Sequence, residues 1–376
     1  MSSDSVAAAV KESFAARTPL RIAGAGGWLD AGRPVRANRT LSLQAESGVS
    51  AYVPADLTIT VRGGTPLEAI EATTHGRKQW LPLDPFGSTA GTIGATIATA
   101  SAGPLSSNFG LPRDLVLGLE FVNGRGEIVR AGGKVVKNVA GFDLSRLLTG
   151  SWGSLGVITE VTLRLYALPE VDRTFAIDLG GPEQRVASLL RAIATVPLAP
   201  YAFQLVSPSI ARALQVGENA MGIIRFGGNS AGVKTQASAL AQIANAGEVD
   251  ANTWMRLRQL DGGSHTSLRI SSLPQRVVAA AARILSDDVP GVYTSIDPRR
   301  GVIRVVAQSS DGTDSSNPIA AGVVQTDSSE IVFEKLPAEL WADVSPTVVA
   351  DPLSQGIKRA YDPRNILNPG ILGDLN

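Results

Sequence analysis

Residues 87–103 read GSTAGTIGATIATASAG, a run with no charge, no aromatic ring and no large polar side chain. It is too polar for a core helix and too apolar for an ordinary surface loop. Small side chains let another group come close to the backbone, and glycine permits conformations that clash elsewhere. A second small-residue stretch, LRIAGAGGWLDAG, occupies residues 20–32. A chain with two such stretches must either offer backbone to a ligand or pack both as dense small-residue layers. Residues alone leave these two readings open.

Neither stretch is a common nucleotide motif. Gly-x-Gly-x-x-Gly fails from Gly24, because Leu29 stands in the last position and WLDAGRP does not read as a helix. In AGGKVV, Val135 follows Lys134 where a phosphate loop needs Ser or Thr for magnesium. The physics of anion binding survives all the same. Glycines let successive backbone N–H groups converge on phosphate oxygens, and Thr and Ser hydroxyls add donors. A diphosphate held by backbone dipoles needs little net positive charge, which suits a chain with 34 basic and 34 acidic residues. The same balance gives no pull toward nucleic acid or an anionic membrane. The chain has no cysteine, so disulfides, thiolate metal sites, a cysteine nucleophile and an iron–sulfur cluster on its own thiolates are excluded.

At 376 residues the chain is long enough for two domains. TPLEAIEATTHG (65–76) predicts a helix with Thr65 as N-cap, Pro66 at the first position, Glu68 completing a capping box and Gly76 after the end. DLVLGLEFVNGRGEIVRAGG predicts two strands turning at Asn123-Gly124. SLGVITEVTLRLYAL alternates through Val157, Thr159, Val161, Leu163 and Leu165 as a half-buried strand. A short helix is expected at Asp143–Leu148. Beyond Leu168-Pro169 the texture shifts to strand–helix–strand units, with a composition-flagged loop at 307–322 and a Pro-punctuated tail after a short helix. No period of 20 to 50 residues marks a solenoid. The opening MSSDSVAAAVKESFAARTPL does not read as a secretory signal, and no 18-residue apolar run predicts a membrane span.

From PLRIAGAGG through the long stretch LPLDPFGSTAGTIGATIATASAG to GSWGSLGVITEVTLRL, the chain resembles the vanillyl-alcohol-oxidase (PCMH-type) FAD-binding family, and YDPRNILNPG is similar to that family's C-terminal signature. The similarity covers about residues 18–168 and 353–372. LRISSLP, IVFEKLPAELW and the length resemble more narrowly the FAD-binding subunits of bacterial glycolate oxidases (glycolate dehydrogenases). The resemblance implies an α+β fold. A two-subdomain PCMH-type FAD-binding domain (1–168) would be followed by an α+β, ferredoxin-like cap domain (169–340), and a C-terminal segment (341–376) would return to the FAD domain.

It also implies where FAD lies. A loop of Ala23, Gly24, Ala25, Gly26, Gly27 and Trp28 would wrap the diphosphate from one side. The run from Pro85 and Gly87 would hold it from the other and line the flavin, through Ser88, Gly91, Thr92, Ile93, Gly94, then Ala95, Ala98, Thr99 and Gly103. Backbone at Gly156, Val157 and Ile158 would meet the adenosine half, and Asn368 would lie near the isoalloxazine. In KNVAGFDL, Lys137, Asn138 and Gly141 read as a solvated turn or, by the resemblance, as groups near the flavin pyrimidine ring.

Many family members attach flavin through a His in the first loop; here GAGGWLD has neither His nor Cys, so noncovalent FAD is expected. The chain has two histidines. His75 closes a helix, where its partial charge suits the dipole, and His265 in DGGSHTSLRI is the one candidate base. No metal site is expected from their spacing. Arg225 and Arg269 read as carboxylate clamps or as partners in structural salt bridges. The function implied is an FAD-holding subunit of a multi-subunit oxidoreductase for a small 2-hydroxy acid. Its expected partners are a larger flavoprotein subunit and an iron–sulfur subunit, with no nucleic acid and no membrane span. The setting would be cytoplasmic, or peripheral at the inner membrane face through those partners. Two alternatives stand beside it: a self-sufficient FAD enzyme for another hydroxy acid or alcohol, and a noncatalytic scaffold or relay.

Overall fold

The computed structural model describes residues 3–87, 90–133, 143–181, 183–286, 288–308, 330–344 and 351–373. Ser88, Lys137, Asn138 and Gly141 lie outside the described residues, as does most of the loop flagged at 307–322. The chain divides into two compact units. The first comprises Met1–Ala102, Gly110–Leu168 and Ala338–Asn376, the second Gly103–Phe109 and Pro169–Pro337.

The first unit opens with α1 (Ser3–Ala16), β1 (Leu20–Ala23), β2 (Arg39–Ser42), β3 (Val49–Val53), β4 (Thr58–Arg62), α2 (Leu67–His75), β5 (Gln79–Trp80) and α3 (Ile93–Thr99). The chain then passes through α4 (Ser106–Phe109), which counts with the second unit. It returns in α5 (Pro112–Leu115), β6 (Val116–Val122), β7 (Ile128–Gly132), α6 (Leu144–Leu148), β8 (Val157–Arg164) and β9 (Tyr166–Ala167). Five strands form an antiparallel sheet in the order β3-β4-β8-β6-β7. Its apolar residues Ile59, Val61, Phe121, Val161 and Leu163 share one buried core with Ile93 and Ile97 of α3 and Leu148 of α6. The expected alternation of β8 holds, with Val157, Thr159, Val161 and Leu163 all buried.

Two local expectations change. Thr65 does not cap α2: its hydroxyl donates to the Gly48 carbonyl (3.2 Å) and accepts from the Gly48 N–H (3.0 Å), so Pro66 stands at the N-cap without a side-chain bond. A long-range partner has displaced the local cap. The β6–β7 hairpin turns over residues 123–127 rather than tightly at Asn123-Gly124, since Val122 pairs with Ile128. The Asn123 carboxamide oxygen accepts from the N–H groups of Arg125 (2.9 Å) and Glu127 (3.0 Å), and Gly126, not Gly124, takes positive φ (+76°). Gly124 is needed for a different reason: a Cβ there would lie 2.4 Å from a carboxylate oxygen of Asp362.

The second unit continues with β10 (Val171–Asp178), α7 (Glu183–Thr195), β11 (Ala202–Val206), α8 (Pro208–Leu214), β12 (Met221–Gly228), α9 (Ser230–Ala241), β13 (Ala246–Val249) and α10 (Thr253–Gln259). Then follow β14 (Thr266–Ser271), α11 (Pro274–Ser286), β15 (Val292–Asp297), β16 (Val302–Ala307) and β17 (Glu330–Lys335). All eight strands join one sheet, ordered β13-β10-β12-β11-β15-β16-β14-β17. Numbering strands within each half, both halves have the order 4-1-3-2, with α7 or α11 between the first and second strands. This is a ferredoxin-like arrangement twice over, joined where β11 pairs with β15. Each half is too long to show as a short sequence period.

The first unit closes with α12 (Pro352–Tyr361) and the tail behind it. The buried Asp362 carboxylate accepts from the N–H groups of Ile366 (3.0 Å) and Leu367 (2.8 Å) and pairs with Lys358 (2.8 Å). Leu367 then bridges in parallel to Leu20, extending the two-stranded β1–β2 sheet. Among the described residues no helix is long and apolar enough to cross a membrane.

Candidate functional site

A groove in the first unit gathers both small-residue stretches. Strand β1 ends at Ala23, and the loop after it forms one wall through Gly24, Ala25, Gly26, Gly27, Trp28 and Leu29. The loop is folded by the N–H of Ala31 donating to the Trp28 carbonyl (3.1 Å) and by Arg21 donating to the Leu29 carbonyl. Gly24 permits its close approach to α3: a Cβ there would sit 2.3 Å from the Thr92 hydroxyl.

The opposite wall is α3, which the sequence reading did not anticipate. Its seven residues have two faces. Ile93 and Ile97, four apart, point into the core, while Ala95, Ala98 and Thr99, spaced i, i+3 and i+4, face the groove. A helix can therefore carry this composition because only its first face packs in the core, while the second lines the groove. The threonines serve the helix itself. Thr92 is its N-cap, accepting from the Ala95 N–H (3.4 Å), while Thr96 and Thr99 donate to the carbonyls of Thr92 (3.0 Å) and Ala95 (2.8 Å). Thr96 and Thr99 thus give their hydroxyl protons to backbone carbonyls rather than to the groove, unlike the expectation that hydroxyls of this run add donors for phosphate, while the Thr92 hydroxyl acts here as an acceptor.

The end of the groove is built from Trp152, Gly153, Gly156, Ile158, Asn368 and Ile371. Two of these residues hold left-handed backbone, Trp152 at φ +54° and Asn368 at φ +44°. Asparagine tolerates that region; for tryptophan it is a strained outlier costing about 1–3 kcal/mol. Trp152 is kept there from both sides: its N–H donates to the Ala98 carbonyl (2.8 Å), and its carbonyl accepts from the Asn368 side-chain amide (2.7 Å). The other end of that amide accepts from the Ile22 N–H (2.7 Å), so Asn368 ties β1, the Trp152 turn and the tail together. Trp28 and Trp152 stand with ring centroids 6.4 Å apart, tilted by 59°.

The groove takes in about 980 Å³ of space, the open solvent at its mouth included. Ala23, Gly24, Ala25, Gly26, Gly27 and Trp28 all line it, as do Gly91, Thr92, Gly94, Ala95, Ala98 and Thr99, and then Gly156, Ile158 and Asn368. Gly87 borders it through Trp28, since a Cβ on Gly87 would be 2.7 Å from the indole nitrogen. Ile93 and Val157 are instead fully buried in the core, Pro85 is buried and is not among the lining residues, and Gly103 belongs with the second unit. The glycine requirement at Gly94 comes from packing: its N–H donates to the Gly63 carbonyl (2.8 Å), and a Cβ would lie 2.7 Å from that oxygen. Ile22, Leu29, Leu43, Trp152, Gly153 and Ile371 were not foreseen as lining residues. For Trp152 a signal was present, because a large aromatic ring between Gly150 and Gly153 in TGSWGS is out of keeping with its neighbours.

No ionisable side chain lines the groove among the described residues. A long ligand with flat conjugated rings at its ends and a polar middle held by backbone fits this wall chemistry, and FAD meets that description. In the second unit His265 is exposed at the start of β14, its N–H donating to the Ala307 carbonyl (3.2 Å). Arg225 holds Asp172 in a two-pronged pair (2.9 and 2.6 Å), the salt-bridge alternative for that residue. Arg269 lies 3.5 Å from Glu334, which also pairs with the buried Arg304 at 2.7 Å. Arg304 in turn grips Asp261, whose carboxyl is pushed up by burial against the pull of that guanidinium. No group of three or more His, Cys, Asp or Glu able to hold a metal occurs among the described residues.

Residues 1–132 match the sequence profile of a family described as "FAD binding domain". The chain is 36% identical over 252 residues to "Glycolate oxidase subunit GlcE" of Escherichia coli (strain K12), covering 66% of this chain and 66% of that protein. It is 42% identical over 120 residues to "Glycolate oxidase subunit GlcD" of Bacillus subtilis (strain 168), covering 32% of this chain and 25% of that protein. The structure resembles that of p-cresol methylhydroxylase with substrate bound, with a TM-score of 0.74 at 15% identity over 99% of this chain and 87% of the other.

Proposed function

This chain belongs to the FAD-binding family, and on that premise we propose that it is the FAD-holding subunit of a multi-subunit oxidoreductase acting on glycolate or a related small 2-hydroxy acid. The observation that carries the reading is the groove itself: two small-residue stretches far apart in sequence converge on one cavity whose uncovered helix face is Ala95, Ala98 and Thr99. Bound FAD would supply the hydride acceptor and pass electrons onward. The loop from Ala23 to Trp28 would meet the diphosphate with backbone, and Ala95 and Ala98 leave room for the flat remainder. Asn368 holds the tail across the end of the groove, and the two tryptophans keep water from that wall.

Attachment is noncovalent in this reading, supported by a chain with no cysteine and a first loop with no histidine. An iron–sulfur subunit and a larger flavoprotein subunit complete the proposed complex in the cytoplasm, because this chain has no thiolate for a cluster. A second reading, a scaffold or electron relay beside a catalytic flavoprotein, is favoured by the absence of any ionisable side chain among the described lining residues. Substrate oxidation needs a base at the hydroxyl, and His265 is the candidate to test.

Acid precipitation of the purified yellow protein should leave all flavin in the supernatant; flavin on the pellet refutes noncovalent binding. Anaerobic addition of glycolate or D-lactate to the chain alone should leave flavin absorbance unbleached, with reduction restored by the partner subunits. Rapid bleaching of the isolated chain would establish a self-sufficient enzyme instead, and His265→Ala would then show whether this residue is its base.

A further inference from the structure

The structure assigns Trp152 as a positioning residue that stacks on a planar ring of the bound cofactor, an inference that rests on the FAD reading above. Two of the chain's five tryptophans line the groove, and this one alone among them sits in left-handed backbone. A bulky residue persists in that conformation only where its surroundings hold it there. Here they do: the Ala98 carbonyl and the Asn368 amide bind the peptide groups on either side of its Cα. Both partners belong to groove-lining residues, one on the cofactor-facing helix and one on the tail. Glycine would occupy this backbone without strain, and glycines already stand at positions 150 and 153 with φ of +82° and +69°. What glycine lacks is the ring. The indole is only partly buried, and with Trp28 at 6.4 Å and 59° it forms an angled aromatic corner against an otherwise small-residue wall. Apolar, uncharged surroundings leave stacking as the interaction such a corner offers a flat conjugated ligand.

The test compares Trp152→Phe, which keeps an aromatic face, with Trp152→Leu, which keeps bulk without one. Apoprotein is titrated with FAD by calorimetry, and tryptophan emission is followed in parallel. Phe should bind within about threefold of the unaltered chain, whereas Leu should bind roughly tenfold or more weakly, the loss typical of removing one aromatic–base stack. The emission quenched by FAD should fall in both variants because the reporting indole is gone. Titration with ADP and with FMN then tells which ring is stacked. Equal affinity of Leu and the unaltered chain overturns the inference, as does equal weakening of Phe and Leu, which would mean the residue only fills volume. If Trp152→Leu does not fold, Trp152→Phe decides alone: an unchanged quenching amplitude would refute stacking. An unaltered chain that takes up no FAD would instead overturn the FAD reading, and this inference with it.

Discussion

The two faces of α3 make separable predictions. On the core face, Gly94→Ala places a Cβ 2.7 Å from the Gly63 oxygen and 3.1 Å from its carbonyl carbon, both backbone atoms that cannot rotate away. The helix must shift, and overpacking of this kind costs about 1–3 kcal/mol. The Gly94 N–H bond to the same oxygen is weakened, worth about 1 kcal/mol more, while replacing a helical glycine returns about 1 kcal/mol. The net loss is about 2 kcal/mol, or roughly 4–8 °C in Tm for a unit of this size. On the groove face, Ala95 is partly exposed and lines the cavity beside Gly24, where an added Cβ would lie 3.3 Å from the Ala95 Cβ, so Ala95→Leu must turn its three added carbons into the groove and should cost the apoprotein less stability than Gly94→Ala. Those carbons occupy ligand space, and overpacking of about 1–3 kcal/mol then appears as FAD affinity some ten- to a hundredfold weaker. Thermal unfolding of the apoprotein and calorimetric FAD titration read the two effects. Gly76→Ala is the neutral comparison, because φ there is −60° and nothing lies within 4 Å of the new Cβ. Gly124 would be a poor one, given its contact with Asp362. Unchanged FAD affinity in Ala95→Leu would refute the groove as cofactor site. Normal Tm with lost FAD in Gly94→Ala would show that Gly94 meets the ligand rather than Gly63.

Asn368→Ala removes two hydrogen bonds, to Ile22 and to Trp152, and should cost about 2–3 kcal/mol in apoprotein stability. Asn368→Asp keeps the acceptor toward Ile22 but sets a buried carboxylate oxygen against the Trp152 carbonyl, so it should lose at least as much in the same melting experiment. With no ionisable side chain lining the groove among the described residues, FAD affinity should change less than about threefold between low and high salt; a much steeper fall would expose a dominant charge contact. Burial raises the Glu120 carboxyl, but hydrogen bonds from Ser3, Thr159 and Arg130 outweigh it and hold the group below its ordinary range. A carboxyl depressed by folding stabilises the protein above its unfolded pKa and loses that contribution as pH falls through the folded value. The Tm gap between the unaltered chain and Glu120→Gln should therefore be full near neutrality and close under acid; a gap independent of pH would refute the ionic role.

Local chemistry alone was enough to single out both small-residue stretches, to exclude thiolate chemistry, and to place β8, because side-chain size and a two-residue period are properties of neighbours in sequence; choosing between a ligand site and a packed layer needed the family resemblance. Local chemistry also placed α6, expected over Asp143–Leu148 and found at Leu144–Leu148, with Asp143 as its N-cap accepting from the Arg146 N–H (3.1 Å). Other choices depended on partners distant in the chain. Thr65 abandoned its helix for Gly48, and Gly124 answers to Asp362 rather than to its own turn. The run at 87–103 hid a helix because its periodicity is carried by only Ile93 and Ile97, while the small residues of the other face line the groove. Tertiary structure also bound the Asn368 amide to two other segments and held Trp152 in left-handed backbone. Composition says what can lie beside a cofactor; only the folded chain decides which atoms still have a hydrogen bond or a ring face to give it.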